Sequence, residues 1–131
     1  MNLLLDTHAF LWYYSGSSDL SKSAKEAIEN PENNFFVSIA SFWEIGIKTS
    51  LGKLELDASL EVLFKDVVDK GFSLMPIDLP HILHSSSLPL HHRDPFDRLL
   101  VSQSLTEKMP IVSKDSLLEP YCKSSGLKVI W

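Results

Sequence analysis

Asn2-Leu3-Leu4-Leu5-Asp6-Thr7-His8-Ala9-Phe10 opens on an apolar run too short for a buried helix and closes that run on an acid and a hydroxyl. A short run bounded in this way suits a strand covered on both faces. The residues from His8 to Tyr14 then read as one or two helical turns, so the acid stands where a strand hands over to a helix. The same order recurs twice. Phe35-Phe36-Val37-Ser38 precedes a helix predicted over 40–51 that carries Glu44, and Pro110-Ile111-Val112-Ser113 precedes Asp115 and a helix predicted over 115–123. Strands alternating with helices predict βαβ units and an α/β fold with a largely parallel sheet. The carboxyl ends of parallel strands share one edge, which is where open α/β folds place their ligands.

The remaining segments fit that frame. Ser21 caps a helix that carries Ala24, Ala27 and Ile28 and stops at Asn30-Pro31. Within 40–51, Ala40, Trp43, Ile47 and Leu51 fall on one apolar stripe with Glu44 near it, and Gly52 closes the helix. An amphipathic helix over 59–70 ends at Gly71. Pro76, inside the strand-like run from Phe72 to Ile77, marks a short or edge strand. A helix over 78–85, a loop over 89–95, a helix over 95–108 and a last strand over 127–130 complete the chain.

With 131 residues, 44% of them hydrophobic, the chain is expected to be one domain over 1–131 with its own core. Cys122 is the only cysteine, which excludes an internal disulfide framework and points to a reducing compartment. The N-terminus lacks the basic run, apolar stretch and small-residue cleavage site of a leader, and no apolar run nears the roughly 20 residues that span a bilayer. A cytoplasmic protein without a membrane segment is expected. The net charge of −5 argues against simple nucleic-acid affinity, which comes largely from counterions released around Lys and Arg. Bound divalent cations would offset part of that charge, and basic residues lie near the acids. Lys48 follows Glu44 by four, Arg93 and Arg98 flank Asp97, and Lys114 adjoins Asp115. These four are candidate phosphate contacts, with solvated charges or helix-face ion pairs as the plain alternative.

Four acids at or near predicted helix starts carry the functional reading: Asp6, Glu44, Asp97 and Asp115. Each has a local explanation. Asp6 and Asp115 suit helix caps, Ser41-x-x-Glu44 matches a capping box, and Asp94-Pro95-x-Asp97 reads as N-cap, N1 and N3. Capping and cation binding are compatible, because helix N-termini supply the positive field that makes close carboxylates tolerable. Carboxylates about 4 Å apart repel by roughly 4 kcal/mol at a surface-like dielectric, so the cluster calls for cations, captured protons or helix dipoles. An oxygen-only set suits Mg²⁺ or Mn²⁺. Zinc suits poorly, since His81, His84, His91 and His92 lack ligand spacing and there is one cysteine. No nucleophile elbow or phosphate-cradling glycine loop is present. Thr7 and Ser113 read as hydroxyls that hydrogen-bond the acids beside them, or as turn formers.

Leu5-Asp6-Thr7-His8-Ala9-Phe10-Leu11-Trp12, Ser38-Ile39-Ala40-Ser41-Phe42-Trp43-Glu44-Ile45-Gly46-Ile47-Lys48, His92-Arg93-Asp94-Pro95-Phe96-Asp97-Arg98-Leu99-Leu100 and Ser113-Lys114-Asp115 together resemble the PIN-domain family. They look most like the VapC toxins of bacterial toxin–antitoxin pairs, and the resemblance covers essentially the whole chain in the family's order. It implies a three-layer α/β/α fold with a mostly parallel central sheet and a Mg²⁺- or Mn²⁺-dependent ribonuclease. The family's acidic quartet maps onto Asp6, Glu44, Asp97 and Asp115, and Asp94 matches an extra acid that caps or supports from outside the ligand set. It also implies an antitoxin partner that covers or enters the acidic site, and a homodimer. Asp6 and Asp97 are expected to be direct ligands. Glu44 would complete the set or orient water, and Asp115 would act through water or position the others. Thr7 and Ser113 would hold those carboxylates from behind.

Three other readings remain open from the residues. A non-catalytic module would use the acidic patch only to hold a partner, and another metal-dependent phosphohydrolase would use the same acids on a different ester. A phosphate-accepting receiver domain needs a second acid beside the first strand's Asp6, which is absent. The aromatic run from Phe10 to Tyr14 and the pair Phe42-Trp43 are read first as core and second as interface.

Overall fold

A computed structural model describes all residues of the chain, 1–131. The elements are β1 (Asn2–Leu5), α1 (Thr7–Ser15), α2 (Lys22–Glu29), β2 (Asn34–Ser38), α3 (Ile39–Ser50), α4 (Leu60–Asp69), β3 (Ser73–Met75), α5 (Leu79–Ser87), α6 (Pro95–Glu107), β4 (Ile111–Val112), a 3₁₀ turn (Ser116–Leu118), α7 (Glu119–Ser125) and β5 (Val129–Ile130). All the strand pairings are parallel, in the order β3-β2-β1-β4-β5. The expected α/β architecture with a parallel sheet is therefore present. β3 is the three-residue edge strand that Pro76 announced.

The leucine run sorts itself by alternation. Leu3 and Leu5 join Phe10, Ile28, Val37, Phe42, Ile45 and Val67 in one apolar cluster, while Leu4 joins Leu100, Val101, Ile111, Leu118 and Tyr121 in another. Successive strand residues face opposite sides, so these clusters are the two faces of the sheet. Helices α1 to α4 cover the first, and α5 to α7 the second. All three leucines are fully buried, and each contributes about 1.5–3 kcal/mol by leaving water. That is why β1 can sit at the centre with no polar face.

The strand order places a reversal beside β1. From β1 the chain moves outward through β2 to β3, then returns to add β4 and β5 on the other flank. Asp6 follows β1 there. Its backbone N–H donates to Val112 O at 3.0 Å, and the register sets Leu5 opposite Val37 on one side and Val112 on the other. Asp6 is thus flanked by Ser38 and Ser113 at the carboxyl edge of the sheet.

Three expectations need correction. Trp43 and Leu51 are each 62% exposed, so the apolar stripe drawn through α3 is wrong. The buried set is Ala40, Ser41, Phe42, Glu44 and Ile45, because the inward face of this helix is shared between the core and a polar site. The continuous helix expected over 115–123 is broken into a 3₁₀ turn and α7. Pro120, which has no N–H to give, occupies the first turn of α7 and starts a new helix there.

The capping box through Ser41 and Glu44 is also absent. Ser38, the last residue of β2, caps α3 by accepting the Ala40 N–H at 3.1 Å, which puts Glu44 well inside the helix. Replacing Ser38 by Ala is expected to cost about 1 kcal/mol, read as a lower midpoint in urea with unchanged slope. An unchanged midpoint would show that the cap contributes nothing.

Candidate active site

Asp6 caps α1 through Oδ1, which accepts the Ala9 N–H at 2.8 Å, and its Oδ2 accepts the Ser113 hydroxyl at 2.5 Å. The same Ser113 oxygen accepts the Asp115 N–H at 3.0 Å. One serine therefore ties the acids after β1 and β4 together. Burial raises the carboxyl pKa of Asp6, against the lowering effect of these two hydrogen bonds, and the negative charge of Asp115 raises it further.

Glu44 enters from α3. Its Oε1 accepts the Thr7 hydroxyl at 2.7 Å, with Ser41 Oγ 2.9 Å from the same threonine oxygen, and its Oε2 lies 2.5 Å from Lys48 Nζ. Thr7 has a single hydroxyl proton, so Ser41 donates to Thr7 and Thr7 to Glu44. The carboxylate is 96% buried while the lysine remains partly solvated. The hydrogen bond to Glu44 raises the ammonium pKa of Lys48 first, and the charges of Asp94 and Asp97 add to it. One lysine thus faces three acids.

Asp97 stands on the first turn of α6, capped by Asp94, whose Oδ1 accepts the Phe96 N–H at 2.8 Å and the Asp97 N–H at 3.4 Å. The nearest donor to the Asp97 carboxylate is His92 Nε2 at 3.4 Å, beyond a good hydrogen bond. Burial first, then Asp94, Glu44 and Asp6, push its carboxyl pKa up from 3.8 to about 7, with His92 opposing. Asp115 caps the 3₁₀ turn with Oδ1 on the Leu117 N–H at 2.9 Å and holds His92 Nε2 at 2.7 Å with Oδ2.

Acids from α3, α6 and the ends of β1 and β4 thus share one pocket of negative charge at the reversal in strand order, with Lys48 the one ammonium in contact. A divalent cation fits this donor set. Every candidate ligand atom is a hard oxygen, and the raised proton affinity of Asp97 marks negative charge that its surroundings leave uncompensated.

Residues 3–123 match the PIN domain. The chain belongs to the PIN-domain family. None of the curated proteins matches the sequence. Among solved structures, this PIN domain is similar to VapBC2 from Rickettsia felis bound to a DNA fragment from its promoter, at 12% identity and TM-score 0.69, covering 98% of this chain and 97% of that one. VapBC-5 from Mycobacterium tuberculosis follows at 14% and 0.67, covering 98% and 96%. A toxin–antitoxin complex from Klebsiella pneumoniae has 15% and 0.60, covering 95% and 94%. At such identities the likeness is one of fold.

The basic residues of this PIN domain are distributed unequally about the acids. Lys48 lies within the site, Arg93 is exposed beside it, and exposed Lys114 sets its Nζ 5.8 Å from the centre of the Trp12 ring. Arg98 is drawn elsewhere. Its guanidinium donates to the carbonyls of Ser85, Leu88 and Pro89 at 2.8, 3.2 and 3.0 Å and to the Tyr121 hydroxyl at 3.2 Å, bracing the loop before α6. Two site neighbours were missed by sequence reasoning. The Ser41-x-x-Glu44 spacing mimics a capping box and hides the role of Ser41, and neither type nor spacing distinguishes His92 from His91.

Proposed function

We propose that this PIN domain is a Mg²⁺- or Mn²⁺-dependent ribonuclease, the toxin of a toxin–antitoxin pair, acting in the cytoplasm as a homodimer. The observation that carries the reading is the convergence of Asp6, Glu44, Asp97 and Asp115 at the sheet edge with one lysine as counter-charge. Membership of the family and the likeness to toxin–antitoxin structures support it, as does a fold in which no helix is long and apolar enough to cross a membrane.

Asp6 and Asp97 are assigned as direct ligands, with Glu44 and Asp115 completing the set or acting through water. A bound cation supplies a Lewis acid for the scissile phosphate and makes hydroxide available near neutral pH. The chain does the rest. Ser113 and Thr7 fix the carboxylates of Asp6 and Glu44 through the hydrogen bonds given above, so little reorganisation accompanies catalysis. Lys48, Arg93 and Lys114 are assigned to the RNA phosphates. An RNA chain brings its own negative charge to a protein of net charge −5, so these cations and the metal are needed to hold it. The antitoxin, a protein, is assigned to cover this site.

The test is cleavage of an RNA pool by purified protein with Mg²⁺, with Mn²⁺ and with EDTA. Cleavage restricted to the metal conditions is expected. Metal binding with intact RNA would replace this reading by the non-catalytic module, and hydrolysis of a phosphomonoester in place of RNA by a different phosphohydrolase.

A further inference from the structure

His92 belongs to the loop between α5 and α6 and is 7% exposed. Its Nε2 and one carboxylate oxygen each of Asp97 and Asp115 lie within 4.8 Å of one another. By residue type alone this trio resembles a metal site with histidine as a ligand. The hydrogen bonds around the ring argue against that. Nδ1 accepts the Asp94 backbone N–H at 3.1 Å, so it presents a bare lone pair. In a neutral imidazole the proton then sits on Nε2, which donates to Asp115 Oδ2 at 2.7 Å. A nitrogen that donates has no lone pair to give a cation.

We propose that His92 is a positioning residue for the acidic site, an Nε2–H imidazole that orients Asp115 and borders Asp97 without ligating the metal. This rests on the reading of the four acids as a cation site. Asp115 is held at both oxygens, Oδ1 by the Leu117 N–H and Oδ2 by the ring, so the carboxylate plane cannot turn and the remaining lone pairs keep one direction. The ring is itself anchored. The His92 backbone N–H donates to the Tyr121 hydroxyl at 3.1 Å, that hydroxyl donates to Pro89 O at 2.7 Å, and Arg98 reaches the same oxygen. Arg98 thereby acts on the site through the loop, as support for the histidine.

His81 shows that the tautomer follows from a local device. Its Nδ1 accepts the Asp78 backbone N–H at 3.0 Å, and its Nε2 meets Glu107 Oε1 at 2.7 Å. In both places a backbone N–H claims Nδ1 and commits Nε2–H to an acid. Only at His92 do further site acids surround that carboxylate.

The test combines ring spectroscopy with metal titration. Long-range ¹H–¹⁵N NMR of the whole protein should show the His92 proton on Nε2 and a bare Nδ1, both without metal and with Mg²⁺. A proton on Nδ1, or loss of the Nε2 proton on adding Mg²⁺, overturns the proposal. Mn²⁺ titration followed by electron paramagnetic resonance should show affinity reduced about 10–100-fold in His92→Phe. Affinity should be largely restored in His92→Gln, whose amide nitrogen can occupy the position of Nε2–H. Wild-type affinity in a folded His92→Phe overturns the positioning role. If His92→Phe does not fold, a His92→Gln variant that folds but binds Mn²⁺ as weakly as an Asp115→Ala variant does so instead. Failure of the wild type to bind Mn²⁺ removes the cation site itself, and the NMR result then stands apart from it.

Discussion

Replacing Asp97 by Asn is expected to lower metal-dependent RNA cleavage by at least about a thousand-fold while making the metal-free protein more stable. The two effects have one cause. Asp97 sits among like charges with little local compensation. It receives no good hydrogen bond at its carboxylate, and burial with the charges of Asp94, Glu44 and Asp6 drives its pKa to about 7. An ionised Asp97 is therefore unfavourable in the folded chain unless a cation is bound. Asn keeps the shape, removes the charge and offers a far weaker ligand. At pH 8 without metal the variant should gain roughly 1–3 kcal/mol, seen as a higher urea midpoint, and Mn²⁺ should no longer raise that midpoint. Cleavage by Asp97→Asn within ten-fold of wild type would remove Asp97 from the site. A destabilised variant would mean that the carboxylate is held by contacts that its amide cannot replace.

Most of the architecture was readable because its causes are local. Three leucines between polar residues make a buried strand, Ser21, Ser59 and Asp94 cap the helices that follow them, and Pro76 demotes β3 to an edge. Three of the acids were readable for a similar reason, since Asp6, Asp97 and Asp115 each sit where a strand or loop gives way to a helix, whereas Glu44 lies well inside α3. What escaped depends on tertiary neighbours. The Ser41-x-x-Glu44 spacing is a sound local pattern, but Ser38 ends β2 and caps α3 first, which frees Glu44 to face Thr7 and Lys48. Arg98 lies one residue from Asp97 in sequence, yet helical geometry turns it toward carbonyls at the end of α5 and in the loop that follows. His91 and His92 are chemically identical to a reader of the sequence. The fold stacks the first edge-on against Tyr121 and points the second at Asp115.

The metal-free protein is expected to lose stability as pH rises from about 4 to about 7, and saturating Mg²⁺ or Mn²⁺ should abolish most of that loss. In the unfolded chain Asp97 ionises around 3.8, and in the folded chain around 7. Between these values the folded state holds the extra proton, so stability falls with rising pH and levels off once both states are ionised. Asp6, also raised by burial, contributes with the same sign. Lys48 does not offset this. Its raised pKa favours the folded state at every pH below its ordinary range near 10.5, so its contribution is constant across the window and lost only in strong alkali. The displacement of Asp97 sets a ceiling of about 4 kcal/mol, and its partial solvation reduces the expected loss to roughly 1–3 kcal/mol. Cation binding acts in the opposite direction, stabilising the folded chain by about 2.7 kcal/mol at a hundred times Kd, and most strongly where the acids are ionised. The melting temperature in EDTA should therefore decline between pH 5 and 7.5, while in the presence of metal it should stay flat or rise. Parallel curves in EDTA and metal would show that cations do not bind at these acids. A decline of undiminished size in Asp97→Asn would assign the pH dependence to a different group.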